Sequence, residues 1–333
     1  MGLISILMPV KNAGLYLKDC LESIIKQTEI NWELITVNDH SSDNSLNILQ
    51  EFSQKDSRIS VWNNEGNGII EALRMGFKKS NGVYIHRMDA DDLMPSYKLE
   101  LLKKNLVVHG ENHIITGKVK YFSEQGVSNG FIKYQNWLNS LCDNNSHWDE
   151  IYKECVIASP CWLVHRSDLI ASGAFEPNQY PEDYDLVFRF YKQGLKVISI
   201  NETLHLWRDH AKRTSRNDPN YESVAFFALK LSYFFELDRD LKRPLVIWGA
   251  GTKGKQMAKI LNRKQIKYTW VSNNPNKHGK EIYEKILKSY ETILKTNNPQ
   301  IIITVAQRNA KQEIISFLRK LGLQEYNDYY FFR

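Results

Sequence analysis

The chain has 333 residues, 42% hydrophobic and 12% aromatic, with a net charge of +6, which is enough to bury a full core in one large domain or two. Its longest apolar runs, "LISILMPV" and "QIIITV", fall far short of the ~20 residues that a bilayer span needs, and no basic start precedes a signal-like apolar stretch, so a cytoplasmic location is expected. The four cysteines, Cys20, Cys142, Cys155 and Cys161, form no C-x-x-C pair, which argues against a zinc site or a disulfide framework and for reduced thiols.

Along the first ninety residues, strands and helices alternate. "LISILMPV" (3–10) predicts a strand, "LYLKDCLESIIKQT" (15–28) an amphipathic helix and "WELITVND" (32–39) a second strand. "SSDNSLNILQEFSQK" offers Ser/Asp capping before a helix, "RISVWNN" a third strand, "GIIEALRMGFKKS" a third helix, and "GVYIHRMD" a fourth strand. This order predicts a mostly parallel sheet whose ligands bind beyond the carboxyl ends of the strands. The middle, 96–200, is less regular, with a helix over 97–108, a strand at "HIITGKVKYF" and an aromatic-rich stretch containing Trp137, Trp148 and Trp162. A helix-like "YESVAFFALKLSYFFEL" leads to a charged joint, "DRDLKRP", after which strand and helix patterns restart at "LVIWGAG" and "KGKQMAKILNRK".

Three carboxylates, Asp89, Asp91 and Asp92, stand within four positions where the fourth strand ends. Like charges this close call for a positive partner. In an extended backbone Asp89 and Asp91 share a side, which suits Mg²⁺ or Mn²⁺ bound through carboxylates and substrate phosphates. The same pattern also serves as a polar strand end, with Asp91 or Asp92 capping ahead of Pro95.

In order and spacing, "ISILMPVKNAGLYLKDCLESIIKQT", "ELITVNDHSSDNSLNILQEF" and "GNGIIEALRMGFKKSNGVYIHRMDADD", continued by "SPCWLVHRSDL", "EDYDLVFRF" and "LHLWRDHAKRTSR", resemble the family 2 glycosyltransferases of the inverting, metal-dependent GT-A class over about 1–220. The resemblance implies a GT-A nucleotide-sugar-binding α/β fold at 1–240, with a donor half at about 1–118, an acceptor half at about 119–220 and a closing helix at about 220–238. It implies transfer from a nucleotide-sugar, a UDP-sugar by preference, to a glycan or lipid-linked acceptor in surface polysaccharide synthesis. By the same resemblance Pro9, Val10, Asn12, Asp39, Asn67 and Arg74 border the donor, Asp89 lies near ribose and metal, and Asp91 is a metal ligand. Asp183 of "EDYDL" takes the place of the family's catalytic base, since inverting transfer needs a carboxylate to accept the acceptor's hydroxyl proton; an acid-rich helix start has the same appearance. "WRDHAKRTSR" offers His210 as a third metal ligand and Arg208, Arg213 and Arg216 as phosphate partners. Two departures stand out: Asn38-Asp39 replaces an acidic pair, and Arg74 replaces an Asn in the third helix.

Residues 241–333 differ in charge. They hold 18 Lys+Arg against 6 Asp+Glu, while residues 1–240 hold 26 against 32. "GAGTKG" (249–254) matches the G-x-G-x-x-G turn of a small Rossmann-like domain, but Ser272, Asn273 and Asn274 stand where an acid should hold a ribose. That leaves a structural, interaction or phosphate-ligand role ahead of redox catalysis, with an NAD(P)-dependent nucleotide-sugar oxidoreductase or epimerase as the alternative enzyme and a noncatalytic nucleotide-sugar-binding protein as the alternative without catalysis. The basic surface is either a device for solubility or a peripheral contact with an anionic membrane. No nucleic-acid partner is expected.

Overall fold

The computed structural model describes residues 2–211, 213, 219–221, 223–305 and 307–332. Two compact units result: Met1–Trp148 with Val156–Asn217, and Asp149–Cys155 with Asp218–Arg333. The helix expected to close the first domain therefore groups with the second.

In the first unit β1 (Ile4–Val10), β2 (Trp32–Asn38), β3 (Ile59–Asn63) and β4 (Tyr84–Arg87) alternate with α1 (Leu17–Ile25), α2 (Ser45–Lys55) and α3 (Ile69–Lys79). β1 is apolar almost throughout, with Ile4, Ile6, Leu7, Met8 and Val10 all buried, as a parallel strand covered on both faces requires. α1 buries Leu17, Cys20, Leu21 and Ile24, a single helical stripe. Then come α4 (Lys98–His109), β5 (His113–Phe122), α5 (Asn129–Asn144), β6 (Trp162–His165), α6 (Arg166–Ala171), α7 (Glu182–Lys192) and β7 (Lys196–Arg208). The aromatic-rich stretch is divided among elements: Trp137 lies in α5, Trp148 in a short 3-10 turn and Trp162 at the start of β6, and Phe131 and Tyr134 of α5 lie near Tyr121 and Trp207.

The seven strands run in the order β3-β2-β1-β4-β6-β5-β7. All neighbours are parallel except the two pairs that involve β6. Chain order reverses across β1 and β4, the switch point where such sheets bind ligands beyond the strand ends. β5 and β7 slip register at Gly117, where a Cβ would come within 2.5 Å of Leu204 Cδ1. That irregularity precedes the end of β7, which runs alongside the β4 turn: Leu93 and Leu206 exchange backbone bonds of 3.0 and 2.9 Å.

The second unit holds α8 (Ser223–Leu237), β8 (Leu245–Trp248), α9 (Thr252–Arg263), β9 (Thr269–Ser272), the hairpin β10 (Glu281–Ile282) and β11 (Lys285–Ile286), β12 (Lys288–Ser289), β13 (Gln300–Ile303), α10 (Arg308–Lys320) and β14 (Tyr329–Phe331). Its parallel sheet runs β12-β9-β8-β13-β14 over a core that includes Val246, Val271, Ile301, Ile314 and Leu318. Among the described residues no helix is long and apolar enough to cross a membrane.

Candidate active site

Each carboxylate of the β4 turn has its own partner. Asp89 Oδ1 accepts from Arg87 Nε and Nη2 at 3.3 and 3.2 Å. Asp92, 1% exposed, accepts the Arg208 N–H at 2.8 Å and lies 3.0 Å from His205 Nε2. Asp91 faces His210, with Oδ2 and Nε2 2.8 Å apart, and its carbonyl accepts from Arg208 Nε at 2.9 Å. The turn is thus stitched to the end of β7. Burial pushes Asp89 above the ordinary carboxylate range, Arg87 opposing and Asp91 and Glu182 adding to the rise. Burial, then Asp91 and Asp89, push Asp92 up further.

The second acidic motif opens α7. Glu182, buried, accepts from Arg87 Nη1 at 3.1 Å, so Arg87 joins the two motifs. Asp183 Oδ1 accepts the N–H of Tyr184 at 2.8 Å. Burial, then the neighbouring Glu182 carboxylate, push Asp183 up to about 7 against the pull of Arg87. A carboxyl that titrates near neutrality is suited to proton transfer.

The ends of β1 and β2 carry the other donor-side residues. Asp39 Oδ1 accepts from Asn64 Nδ2 at 2.7 Å and from the Gly68 N–H at 3.0 Å, and its Oδ2 pairs with Lys11 at 3.1 Å. Burial opposes ionisation of Asp39, but these bonds outweigh it and hold the carboxyl below its usual range. Asn12, at φ 50°, accepts from the Ser42 N–H at 2.8 Å and ties the two strand ends together. Pro9 is half-buried, the side chain of Val10 belongs to the core, and Asn67 is exposed in the turn before α3.

Arg74 stands apart from this group. Its guanidinium donates to the Phe175 and Glu176 carbonyls at 3.2 and 2.7 Å and to Asn178 Oδ1 at 2.9 Å, and pairs with Glu71. It thereby ties α3 to the loop that leads into α7. Arg208 is likewise engaged with Asp91, Asp92 and Asp19. Arg213 donates to the Arg208 carbonyl at 3.3 Å and lies over the rings of Tyr121, Phe131 and Trp207. Arg216 falls outside the described residues. Arg87, Lys98 and His205 were not singled out from the sequence, and Asp92 and Glu182 stood there only as members of the two acidic motifs, Asp92 with a capping alternative.

Among the described residues no three His, Cys, Asp or Glu side chains form a ready-made metal cluster. Asp91 and His210 do converge; the carboxylate is an oxygen ligand of the kind Mn²⁺ and Mg²⁺ take together with phosphate oxygens and water, while a nitrogen ligand suits Mg²⁺ poorly and favours the softer cation of the two. His210 Nδ1 is buried with no partner, so the ring is oriented by Asp91 and by Tyr16, whose ring centroid lies 4.5 Å away.

The profile of Glycosyl transferase family 2 matches residues 5–171. The chain belongs to that family. It is 38% identical over 200 residues to UDP-Glc:alpha-D-GlcNAc-diphosphoundecaprenol beta-1,3-glucosyltransferase WfgD of Escherichia coli, an alignment covering 60% of this chain and 73% of WfgD. It is 29% identical over 218 residues to glycosyltransferase GlyA of Streptococcus pneumoniae serotype 4, covering 64% of this chain but only 31% of GlyA. S. aureus TarS 1-349 in complex with UDP-GlcNAc superposes with a TM-score of 0.56 at 18% identity, over 78% of this chain and 72% of that one. This likeness establishes the GT-A fold. The family match ends before α7, so Asp183 and His210 lie beyond the matched residues of this family 2 glycosyltransferase.

The glycosyltransferase's second unit carries the glycine-rich turn between β8 and α9. Gly249, at φ 129°, has no room for a Cβ, which would meet Thr304 Oγ1 at 2.5 Å, and a Cβ on Gly254 would collide with the Gly249 carbonyl. Gly251, by contrast, faces open space. Lys277 Nζ donates to the Ala250 carbonyl at 2.9 Å. The end of β9 presents Ser272, whose Oγ accepts from the Asn274 N–H at 3.1 Å, where a dinucleotide-binding unit carries an acid.

Proposed function

We propose that this glycosyltransferase moves a sugar from a nucleoside-diphosphate sugar, a UDP-sugar, to a hydroxyl of a glycan or lipid-linked acceptor, with inversion at the anomeric carbon. The observation that carries this reading is the Arg87 bridge, which sets the acidic turn of β4 beside the acidic start of α7. Asp183 is the base: the acceptor oxygen attacks the anomeric carbon, the bond from that carbon to the diphosphate oxygen breaks, and the hydroxyl proton passes to Asp183 Oδ2. Its position near neutrality suits it to accept that proton at physiological pH and to release it afterwards. Asp91 and His210, with Asp89 adjacent, would hold Mg²⁺ or Mn²⁺, which would supply positive charge for the departing diphosphate. Asp39, Asn12 and Asn67 border the nucleoside.

The UDP preference draws on WfgD, a transferase named for UDP-Glc, and on TarS, whose complex holds UDP-GlcNAc. The second unit is read as Rossmann-like with a structural or phosphate-ligand role. Ser272 in place of an acid counts against an NAD(P)-dependent reading. Asp183→Asn tests the proposal: transfer should fall by about 10²–10⁴-fold, the range for a positioned general base, while UDP-sugar binding is kept. Collapse of donor binding with unchanged turnover of bound substrate would move Asp183 to the donor side.

A further inference from the structure

Lys98 opens α4 and is 0% exposed, as is His205 on β7. A fully buried lysine is rare, because its charge must be desolvated. Lys98 Nζ donates to the Pro160 carbonyl at 2.6 Å and lies 3.3 Å from His205 Nδ1. On its other side His205 Nε2 is 3.0 Å from Asp92 Oδ2, and Asp92 Oδ1 takes the Arg208 N–H at 2.8 Å. An ammonium group can only donate, so Nδ1 must be the acceptor and the ring proton sits on Nε2, pointing at the carboxylate. The chain therefore has one direction, from lysine through neutral imidazole to aspartate. It ends on the backbone of Arg208, whose side chain holds the Asp91 carbonyl at 2.9 Å. Two residues further along, His210 meets the Asp91 carboxylate.

We infer that Lys98 and His205 are positioning residues for the Asp91–His210 pair, acting through Asp92 and the Arg208 backbone without touching a ligand themselves. Lys98 faces the third carboxylate from behind through His205, Arg87 balances the first and Arg213 lends positive charge to the whole turn. That leaves Asp91, facing His210, with no cation among the described residues bonded to its carboxylate oxygens and offered to a metal. Partners at one remove from a metal ligand orient it, and their loss typically weakens metal binding by about 10–100-fold; His205 and Lys98 stand further back, behind Asp92, so an effect at the lower end of that range is expected. The inference rests on the proposed metal role of Asp91 and His210, and the experiment separates the two.

His205→Gln keeps an acceptor for Lys98 and a donor for Asp92, whereas His205→Leu keeps volume and neither bond. In the full chain labelled with ¹⁵N-histidine, the imidazole signals of His210, assigned with His210→Gln, report its contact with Asp91 with no metal present. His205→Gln should leave those signals at their wild-type positions and His205→Leu should move them. In parallel, Mn²⁺ binding in the presence of UDP, read by electron paramagnetic resonance, should weaken about tenfold in His205→Leu and much less in His205→Gln. Unmoved His210 signals in folded His205→Leu overturn the inference, whatever the metal does. A wild-type chain that takes up no Mn²⁺ instead overturns the metal reading and leaves the His210 signals to decide the positioning role. Should His205→Leu not fold, Lys98→Met decides: adding Asp92→Asn removes the uncompensated charge and should restore the His210 signals, and no restoration overturns the inference.

Discussion

Arg87 Nη1 lies 3.1 Å from Glu182 Oε1 while the same guanidinium reaches Asp89 Oδ1 at 3.2 Å, so one buried cation holds together two motifs that are 95 residues apart in sequence. A planar fork can serve two carboxylates at once; a lysine ammonium on a flexible stem cannot reproduce that geometry. Removing one partner of a buried ionic group leaves the other charge uncompensated, at a cost of about 3–5 kcal/mol. Arg87→Met is therefore expected to lower the unfolding midpoint and to depress kcat/KM at a temperature where it is still folded. Arg87→Lys should recover part of the stability but little of the activity. Equal recovery of both would reduce Arg87 to a packing residue.

Asp183 gives a prediction with a sign in pH. Burial and Glu182 raise its carboxyl to about 7, well above an unfolded aspartate near 3.9. The folded state therefore favours the protonated form, and the stability associated with it is present at acid pH and lost as pH rises through about 7. Asp183→Asn should gain in unfolding midpoint relative to the parent between pH 5 and 8, a range chosen to bracket that value. Over the same range, kcat/KM of the parent should climb along a limb centred near neutrality, because the base works ionised. The limb should be missing from the residual activity of the Asn variant. A parent profile flat across this interval would remove Asp183 from the proton transfer.

Asp91 makes a separate claim, on the metal. A neutral amide cannot replace its carboxylate beneath a diphosphate and its cation. Asp91→Asn should remove Mn²⁺-dependent turnover while far-UV circular dichroism stays that of the parent. Turnover unchanged at saturating Mn²⁺ and donor would dismiss this carboxylate as a ligand.

The strands and helices of the first ninety residues were legible because each has one dominant local signal: continuous apolar runs for β1 and β2, a helical stripe for α1. α5 was not assigned, because its aromatic residues fit strand and helix alike. The placement of the DRDLKRP joint followed composition, whereas grouping α8 with the second unit depends on contacts that no local pattern records. At the site, "RMDADD" and "EDYDL" announced themselves by charge density, yet their partners did not. Lys98 looks like an ordinary surface lysine at a helix start, and only the pairing of β7 with the β4 turn shows why it is buried. Arg74 was read by its position in a motif; Glu71 is a local partner, but Phe175, Glu176 and Asn178 lie more than 100 residues away, beyond the reach of any local pattern.

The basic second unit yields the last prediction. On it, Lys259, Arg263, Lys264, Lys267 and Lys280 are all exposed, and a transferase acting on a lipid-linked acceptor must reach an anionic surface. Each basic side chain near such a surface contributes about 1 kcal/mol of attraction, and the attraction fades within a Debye length of about 8 Å at physiological salt. The full chain is expected to co-sediment with phosphatidylglycerol-containing vesicles at low salt and to be released by roughly 0.5 M salt, where screening is several-fold shorter in range. Replacing these five residues by glutamate in the full chain should abolish sedimentation without altering transfer to a soluble acceptor analogue, since none of them belongs to the acidic turn or to α7. A solubility role predicts the opposite pattern: no sedimentation by the parent, and a reversed variant that differs only in its tendency to aggregate. Sedimentation that survives both high salt and charge reversal would point to an apolar contact elsewhere and would leave the lysines without a membrane function.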